Sequence, residues 1–366
     1  MAGRQPRTWL LLGDKQGDNG QVLTLAEALG WPWEVRRLEM KPQWVLGKPR
    51  FRPTLDHLDL ERSDPLAPPW PDLLLTVGRR PSMAALWIKR QSRGRTRVVL
   101  VGKPTGRMGE FDLVVASAEN VLPPLPNLVS ITLPLMRIDP AAAAAEAARW
   151  RERLAPLPRP LVGVFVGGET NPFRMNATAA RRLAASVARI RGELGGTPWV
   201  VTSRRTRPEF AARLRDLLPP GTPLWLWSPG ADDNPYRALL AAADAFVVTG
   251  DSISMMVEVI RLGKPLAIHP LPVGLLGAAD QLRRAAARWL FDPRSEGGRW
   301  RRHLAPWLYR LDAARLFTST RDFAHFHRRL VEEGLAVWDG EPFRPPRRAA
   351  ELEMAEAVAR IRALVA

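Results

Sequence analysis

The chain has 366 residues, 46% of them apolar, which suffices for two cores on a prior of about 100–200 residues per domain. It carries 54 Lys plus Arg against 37 acids, a net charge of +17, and only six of those cations are lysines. Without cysteine, disulfides and thiolate metal sites are excluded, and no run approaches the ~20 apolar residues of a membrane span.

Trp9–Leu12 is too short for the apolar core of a leader peptide, so none is expected. The charge favours anionic partners. The arginines are scattered through an Ala- and Pro-rich chain, without a basic helix or interleaved stacking aromatics. This argues against specific nucleic-acid binding and leaves an anionic membrane surface as the polyanion to consider. A cytoplasmic location is expected, with a peripheral position on the inner membrane as its variant.

In chain order, Thr8–Leu12 predicts a first strand, followed by the polar, Gly-rich turn Gly13–Gln21. A helix follows with Val22, Leu25, Ala26 and Leu29 on its buried face, and Glu34–Leu38 predicts a second strand. The chain therefore opens βαβ, with a Gly-rich turn at the strand end where open α/β sheets bind ligands. The turn is not G-x-G-x-x-G, so no dinucleotide is indicated. Asp14, Gly17, Asp18 and Asn19 make it more polar than a structural turn requires, although Asp or Asn could simply cap it.

Lys41–Pro71 is Pro-rich with little periodicity, and a loop this long inside a domain is often functional. Strands are expected at Asp72–Val77, Arg97–Val101, Phe111–Ala116 and Asn127–Thr132, with a helix at Met83–Gln91. Pro140–Ala155 reads as an Ala-rich helix, and Pro156–Pro160 as a stiff linker between two domains.

A second β/α series opens with the strand Leu161–Val166 and a second Gly-rich turn, Gly167-Gly168-Glu169-Thr170-Asn171. Glycine there lets backbone N–H groups approach a ligand. After a helix at Ala177–Arg191 and a strand at Pro198–Thr202 comes Ser203-Arg204-Arg205-Thr206. Arg204 and Arg205, with the Ser203 and Thr206 hydroxyls, suit a diphosphate at a strand's carboxyl end, because the guanidinium fork matches phosphate geometry; the alternative is a solvated basic loop.

The most informative stretch is Ala241–Pro272: strand Asp244–Val248, turn Thr249–Ser252, apolar helix Ile253–Leu262, then strand Leu266–His269. Asp251, Ser254 and Glu258 are spaced three and four apart, one polar stripe on a greasy helix. The stripe begins at a helix N-terminus, which attracts anions. A carboxylate about two turns in can accept from two vicinal hydroxyls. Phosphate at the helix start and a diol at the carboxylate describe the ribose-diphosphate of a nucleotide. The alternative is a cap plus one solvated glutamate. His325 and His327 lack a third ligand, so no metal is expected. Gln281–Trp289 and Glu351–Val365 are the remaining expected helices.

Thr249-Gly250-Asp251-Ser252-x-Ser254, with Glu258 and Gly263-Lys264-Pro265, resembles the sugar-nucleotide loop of GT-B glycosyltransferases and nucleotide-sugar 2-epimerases. It is still more similar to the mitochondrial-fission (elongated-mitochondria) family, whose bacterial members are labelled nucleoside-diphosphate-sugar epimerase-like. That family also shows a similar Ser-Arg-Arg-Thr. Two segments depart from it: the first turn carries Asp18 where His is usual, and Ser117-Ala118-Glu119-Asn120 replaces a Pro-x-His-Asp segment.

The resemblance implies an α/β, GT-B-like fold, two Rossmann-like domains facing across a cleft. The extents are 1–155 for an acceptor-side domain, 161–340 for a nucleotide-sugar-binding domain, and 341–366 for a closing helix packed across the junction. It implies an enzyme, a glycosyltransferase or epimerase, with a nucleotide-sugar, UDP-linked, as substrate and no further cofactor. In that reading Glu258 holds the ribose, while Gly168, Gly250, Asp251, Ser252 and Ser254 meet the phosphates. Arg204 and Arg205 neutralise the leaving group. Asp18 is the candidate base on an acceptor hydroxyl, lipid-linked acceptors included, within a loop formed with Asp14, Gly17 and Asn19. The rival implication is a non-catalytic scaffold, an adaptor at a membrane surface or for a partner protein.

Overall fold

The computed structural model describes residues 5–45, 47, 49–105, 108–231, 233–291, 303, 307, 321–349 and 353–366. They fall into two compact units: Met1–Arg137, Ala285–Asp322 and Leu352–Ala366 in the first, Ile138–Arg284 and Phe323–Glu351 in the second.

The first unit is built on six parallel strands: β1 (Thr8–Leu12), β2 (Trp33–Arg37), β3 (Leu73–Val77), β4 (Arg97–Val101), β5 (Leu113–Ser117) and β6 (Leu128–Ile131). Their order is β2-β1-β3-β4-β5-β6. Helix α1 (Gln16–Leu29) follows β1; α2 (Pro42–Val45) lies in the long loop, and α3 (Arg79–Gln91) follows β3. Successive strand residues point to opposite faces. Trp9 and Leu11 of β1 join Met83, Ala84 and Ile88 of α3 on one face. Leu10 and Leu12 join Val22 and Leu25 of α1 on the other. Covering both faces is why these strands read as unbroken apolar runs rather than alternating ones. The long loop is packed down: Phe51 and Leu58 are buried in the α3-side core, and Asp59 and Asp64 bond the backbone at Glu39 and Arg37.

The second unit has the strands β7 (Leu161–Val166), β8 (Thr197–Thr202), β9 (Leu224–Trp225), β10 (Ala245–Thr249), β11 (Leu266–His269) and β12 (Val337–Trp338). The order is β12-β11-β10-β7-β8-β9, again all parallel. Its helices are α4 (Pro140–Arg149), α5 (Arg151–Leu154), α6 (Ala177–Leu194), α7 (Pro208–Leu217), α8 (Tyr236–Ala242) and α9 (Ile253–Arg261). Helix α10 (Leu275–Phe291) begins here and its last residues count with the first unit; α11 (Phe323–Glu332) returns to the second. In its own numbering this sheet runs 3-2-1-4-5-6, the doubly wound order whose crevice lies between the first and fourth strands, here β7 and β10. Two Rossmann-like α/β units in one chain is the fold class the sequence implied.

The division differs from the expected extents. It falls at Arg137–Ile138, ahead of the proline-rich segment Pro156–Pro160, because α4 packs with α8 and Trp150 meets Trp199 edge-on at 5.9 Å within the second unit. The closing helix, α12 (Ala355–Val365), starts later than expected, and residues 350–352 lie outside the described ones. It belongs to the first unit, where Ala357 and Ile361 are fully buried beside α1. Arg360 bonds the Leu128 carbonyl there at 2.8 Å. Truncating Ile361→Ala should therefore cost about 2–4 kcal/mol in urea unfolding, whereas a loss under about 0.5 kcal/mol, the range of surface substitutions, would show that α12 is not part of the core.

Candidate functional site

In the second unit the carboxyl ends of β7 and β10 meet through two side chains, Asp251 and Thr249. Asp251, in the turn after β10, is buried and reaches back toward the β7 turn. Its Oδ2 accepts the Gly168 N–H at 2.7 Å and its Oδ1 the Thr249 hydroxyl at 2.8 Å. The Thr249 hydroxyl oxygen in turn accepts the Gly167 N–H at 2.8 Å. Arg205 stands 3.6 Å from the same carboxylate and donates to the Thr170 hydroxyl at 3.0 Å. Burial pushes the Asp251 carboxyl above its ordinary range, against the pull of the Gly168 and Thr249 bonds and of Arg205. A Cβ on Gly167 would lie 2.2 Å from the Asp251 carboxylate, and one on Gly168 2.3 Å from Arg205. Glycine is required there so that the two turns can close on each other.

This corrects several expectations. The Gly167 and Gly168 amides are taken by Thr249 and Asp251, so they are not donors to a ligand. Asp251 is not on the helical stripe, because it precedes the helix and faces inward. The Ser203 and Thr206 hydroxyls bond the Gly167 carbonyl, Ser203 at 2.9 Å and Thr206 at 2.5 Å, so they shape the β8 turn. Arg204 is exposed and has no acidic partner among the described residues.

The α9 start has the opposite character. The first helical bond runs from the Met256 N–H to the Ser252 carbonyl at 3.2 Å, which leaves the amides of Ile253, Ser254 and Met255 without helical acceptors. Ser252 is the N-cap, yet its hydroxyl makes no capping bond. Ser252 is buried, 1% exposed, and its hydroxyl has no hydrogen-bond partner among the described residues. Ser254 is exposed. Gly250 fits closely: a Cβ there would come 3.0 Å from the His327 ring. In the loops after β7 and β8, Arg174 pairs with Glu169 at 2.6 Å, and Arg207 lies 3.8 Å from the same acid. The Arg174 bond, with Arg207, holds the Glu169 carboxyl below its usual range. The loops after β7 and β8 thus supply three arginines, 174, 205 and 207, to the two acids Glu169 and Asp251, with Arg204 exposed beside them.

Two turns along α9, Glu258 is half-buried. Its Oε2 accepts the Tyr236 hydroxyl at 2.5 Å. Burial raises the Glu258 carboxyl, while Tyr236 and Arg237 pull it down. Spacing along α9 finds Glu258. Tyr236, 22 residues earlier on another helix, and the Arg174–Glu169–Arg207 group carried no sequence signal.

In the first unit the switch point lies between β1 and β3. Asp14 takes both its bonds from Arg80, at 2.8 and 3.0 Å. Arg80 is buried and also bonds the Trp44 and Val45 carbonyls, so Asp14 pins the long loop and is not free. Gly17, Asp18 and Asn19 are not in a loop: they form the first turn of α1, with the Asn19 N–H on the Lys15 carbonyl at 3.0 Å. Asn19 closes the real turn through both Gly13 backbone groups, at 2.8 and 3.2 Å. Space beside Gly17 is open. Asp18 is half-buried, its carboxylate facing Gly78 and without a hydrogen bond among the described residues. Among those residues no group of three or more His, Asp or Glu could hold a metal. His327 stacks on Phe173 at 6.2 Å.

Gly167→Ala and Asp251→Ala should each lower stability by about 2 kcal/mol, by overpacking and by orphaned donors respectively. The double variant should lose less than the sum, since the clash leaves with the carboxylate. Strict additivity in urea unfolding would disprove the contact.

The family model described as Mitochondrial fission ELM1 matches residues 16–288. The Arabidopsis thaliana Mitochondrial fission protein ELM1 is 27% identical over 220 residues, 54% of this chain and 51% of that protein, so the chain spans about half the length of that relative. An uncharacterised Rickettsia prowazekii protein is 22% identical over 299 residues, 72% of this chain and 83% of that one. Among solved structures, a UDP-GlcNAc 2-epimerase from Methanocaldococcus jannaschii has a TM-score of 0.46 at 10% identity, over 98% of this chain and 99% of its own. A Rickettsia africae glycosyltransferase has a TM-score of 0.44 at 11% identity, over 90% and 97%.

Proposed function

The chain belongs to the mitochondrial fission ELM1 family, and from that premise and the α9 terminus we propose that its second unit binds a nucleotide-diphosphate sugar, UDP-linked, as substrate of a glycosyltransferase-type or epimerase-type reaction. The observation that carries this is the pairing of a free helix N-terminus and an unpartnered buried hydroxyl, Ser252, with a carboxylate two turns on. An anion at that end satisfies the Ile253, Ser254 and Met255 amides and gives Ser252 the acceptor it lacks. Glu258 takes the ribose diol. Arg204 and Arg205 lie on the β8 turn, where two cations can offset charge on a departing diphosphate. The Asp251 carboxylate would repel phosphate if it faced the ligand; turned inward, it builds the crevice instead. Asp18, in the first unit, is the candidate to take an acceptor's proton. The substrate name comes from resemblance; the anion-plus-diol chemistry comes from the residues.

Calorimetric titration with UDP, GDP, CMP and ADP sugars tests this. One of them should bind; Glu258→Ala should abolish that binding, and Ser252→Ala should weaken it about tenfold, as one lost hydrogen bond to a charged group does. No binding across the panel, with affinity for anionic vesicles or a partner protein intact, would favour the adaptor reading.

A further inference from the structure

Glu258 does not stand alone on α9. Tyr236 opens α8 just after Pro235, and its hydroxyl meets Glu258 Oε2 at 2.5 Å. Its ring lies against Phe165 of β7, with centroids 4.5 Å apart and planes tilted by 38°. Phe165 is fully buried and packs on Phe246 of β10 at 5.2 Å. The hydroxyl is therefore aimed by a ring that the sheet itself holds in place.

We propose that Tyr236 is a positioning residue for Glu258: it fixes the carboxylate plane and occupies one acceptor position of Oε2, so that Oε1 is presented to a ribose diol. This deepens the nucleotide reading and rests on it. A carboxylate offers about four lone-pair positions. One is filled by Tyr236, and an unrestrained carboxylate could rotate to satisfy a single hydroxyl as well as a pair. Held in one plane, it favours two adjacent hydroxyls over one. Tyrosine suits the task better than a cation, because a neutral donor orients the carboxylate without neutralising it. Burial and the neighbouring Glu258 charge raise the Tyr236 hydroxyl well above its ordinary range, so it remains a donor.

The consequence is specificity for ribose over 2′-deoxyribose, with a pH signature. Tyr236 and Arg237, both on α8, are the groups that pull the Glu258 carboxyl down against burial. Removing the hydroxyl leaves burial less opposed, so the carboxyl protonates at higher pH. Binding needs the ionised acceptor, so its acid limb moves upward.

The test uses the full chain and Tyr236→Phe, which keeps the ring on Phe165 and removes one oxygen. The probes are UDP-glucose, whose diphosphate diester has no proton to gain near neutral pH, and its 2′-deoxyuridine counterpart. In Tyr236→Phe, UDP-glucose should bind about tenfold more weakly, the preference for ribose should shrink, and the acid limb should rise. The Glu258 carboxyl resonance, followed by carbon NMR of glutamate-labelled protein without ligand, should titrate higher than in the wild type. A variant with unchanged affinity, unchanged ribose preference and an unmoved carboxyl titration overturns the inference while leaving the nucleotide reading intact. A variant that is only less stable, with those three readouts unmoved, overturns it equally. Wild-type protein that binds neither probe nor any other sugar nucleotide overturns both, even if the carboxyl titration moves.

Discussion

The second unit depends on one buried carboxylate. Asp251 closes the β10 turn onto the β7 turn by accepting a backbone amide and a hydroxyl. Burying an ionised carboxylate is costly unless donors satisfy it, and here one comes from the β7 turn that must be held and one from the end of β10 itself. Loss of the carboxylate would leave the Gly168 amide and the Thr249 hydroxyl without this acceptor. The clasp decides which groups face outward: the glycine amides are consumed, and the α9 amides with Ser252 are left over. An anion brought to this crevice would therefore meet a helix end and not a glycine cradle.

The first unit uses a related device for a different end. At its switch point Asp14 and Arg80 pair, and the guanidinium also ties down two carbonyls of the long loop. Both switch points carry an aspartate in the turn, and in both the aspartate is structural. Asp18 differs. It sits on the first turn of α1, half-buried beside Gly78, and its carboxylate makes no hydrogen bond among the described residues.

Much of this was legible in the residues. β1, β4, β7 and β11 lie where their apolar runs place them, because strands covered on both faces have no polar interruptions to blur their ends. The α9 helix and its Glu258 follow from a three-and-four spacing. Where structure and expectation differ there is one cause: a polar residue in a turn need not face a ligand. Asp14, Asn19, Asp251, Ser203 and Thr206 are polar residues whose partners are backbone groups or side chains distant in sequence. No local pattern reveals such partners. The Gln16–Gly20 segment looked like a loop because its glycines hide a helix start that Asn19 stabilises through Gly13. Tyr236 and the Arg174–Glu169–Arg207 group were invisible for the same reason, and β12 is two residues long, too short to leave a period.

The most direct test of the account is an amide-resolved NMR titration of the intact chain with UDP-GlcNAc or another sugar nucleotide that binds. The amides of Ile253, Ser254 and Met255 should shift most in the second unit's turns, while those of Gly167 and Gly168, already bonded inward, should stay nearly still. If the glycine amides respond most, or the α9 amides do not respond to a nucleotide that binds, the helix end is not the anion site and the account is wrong.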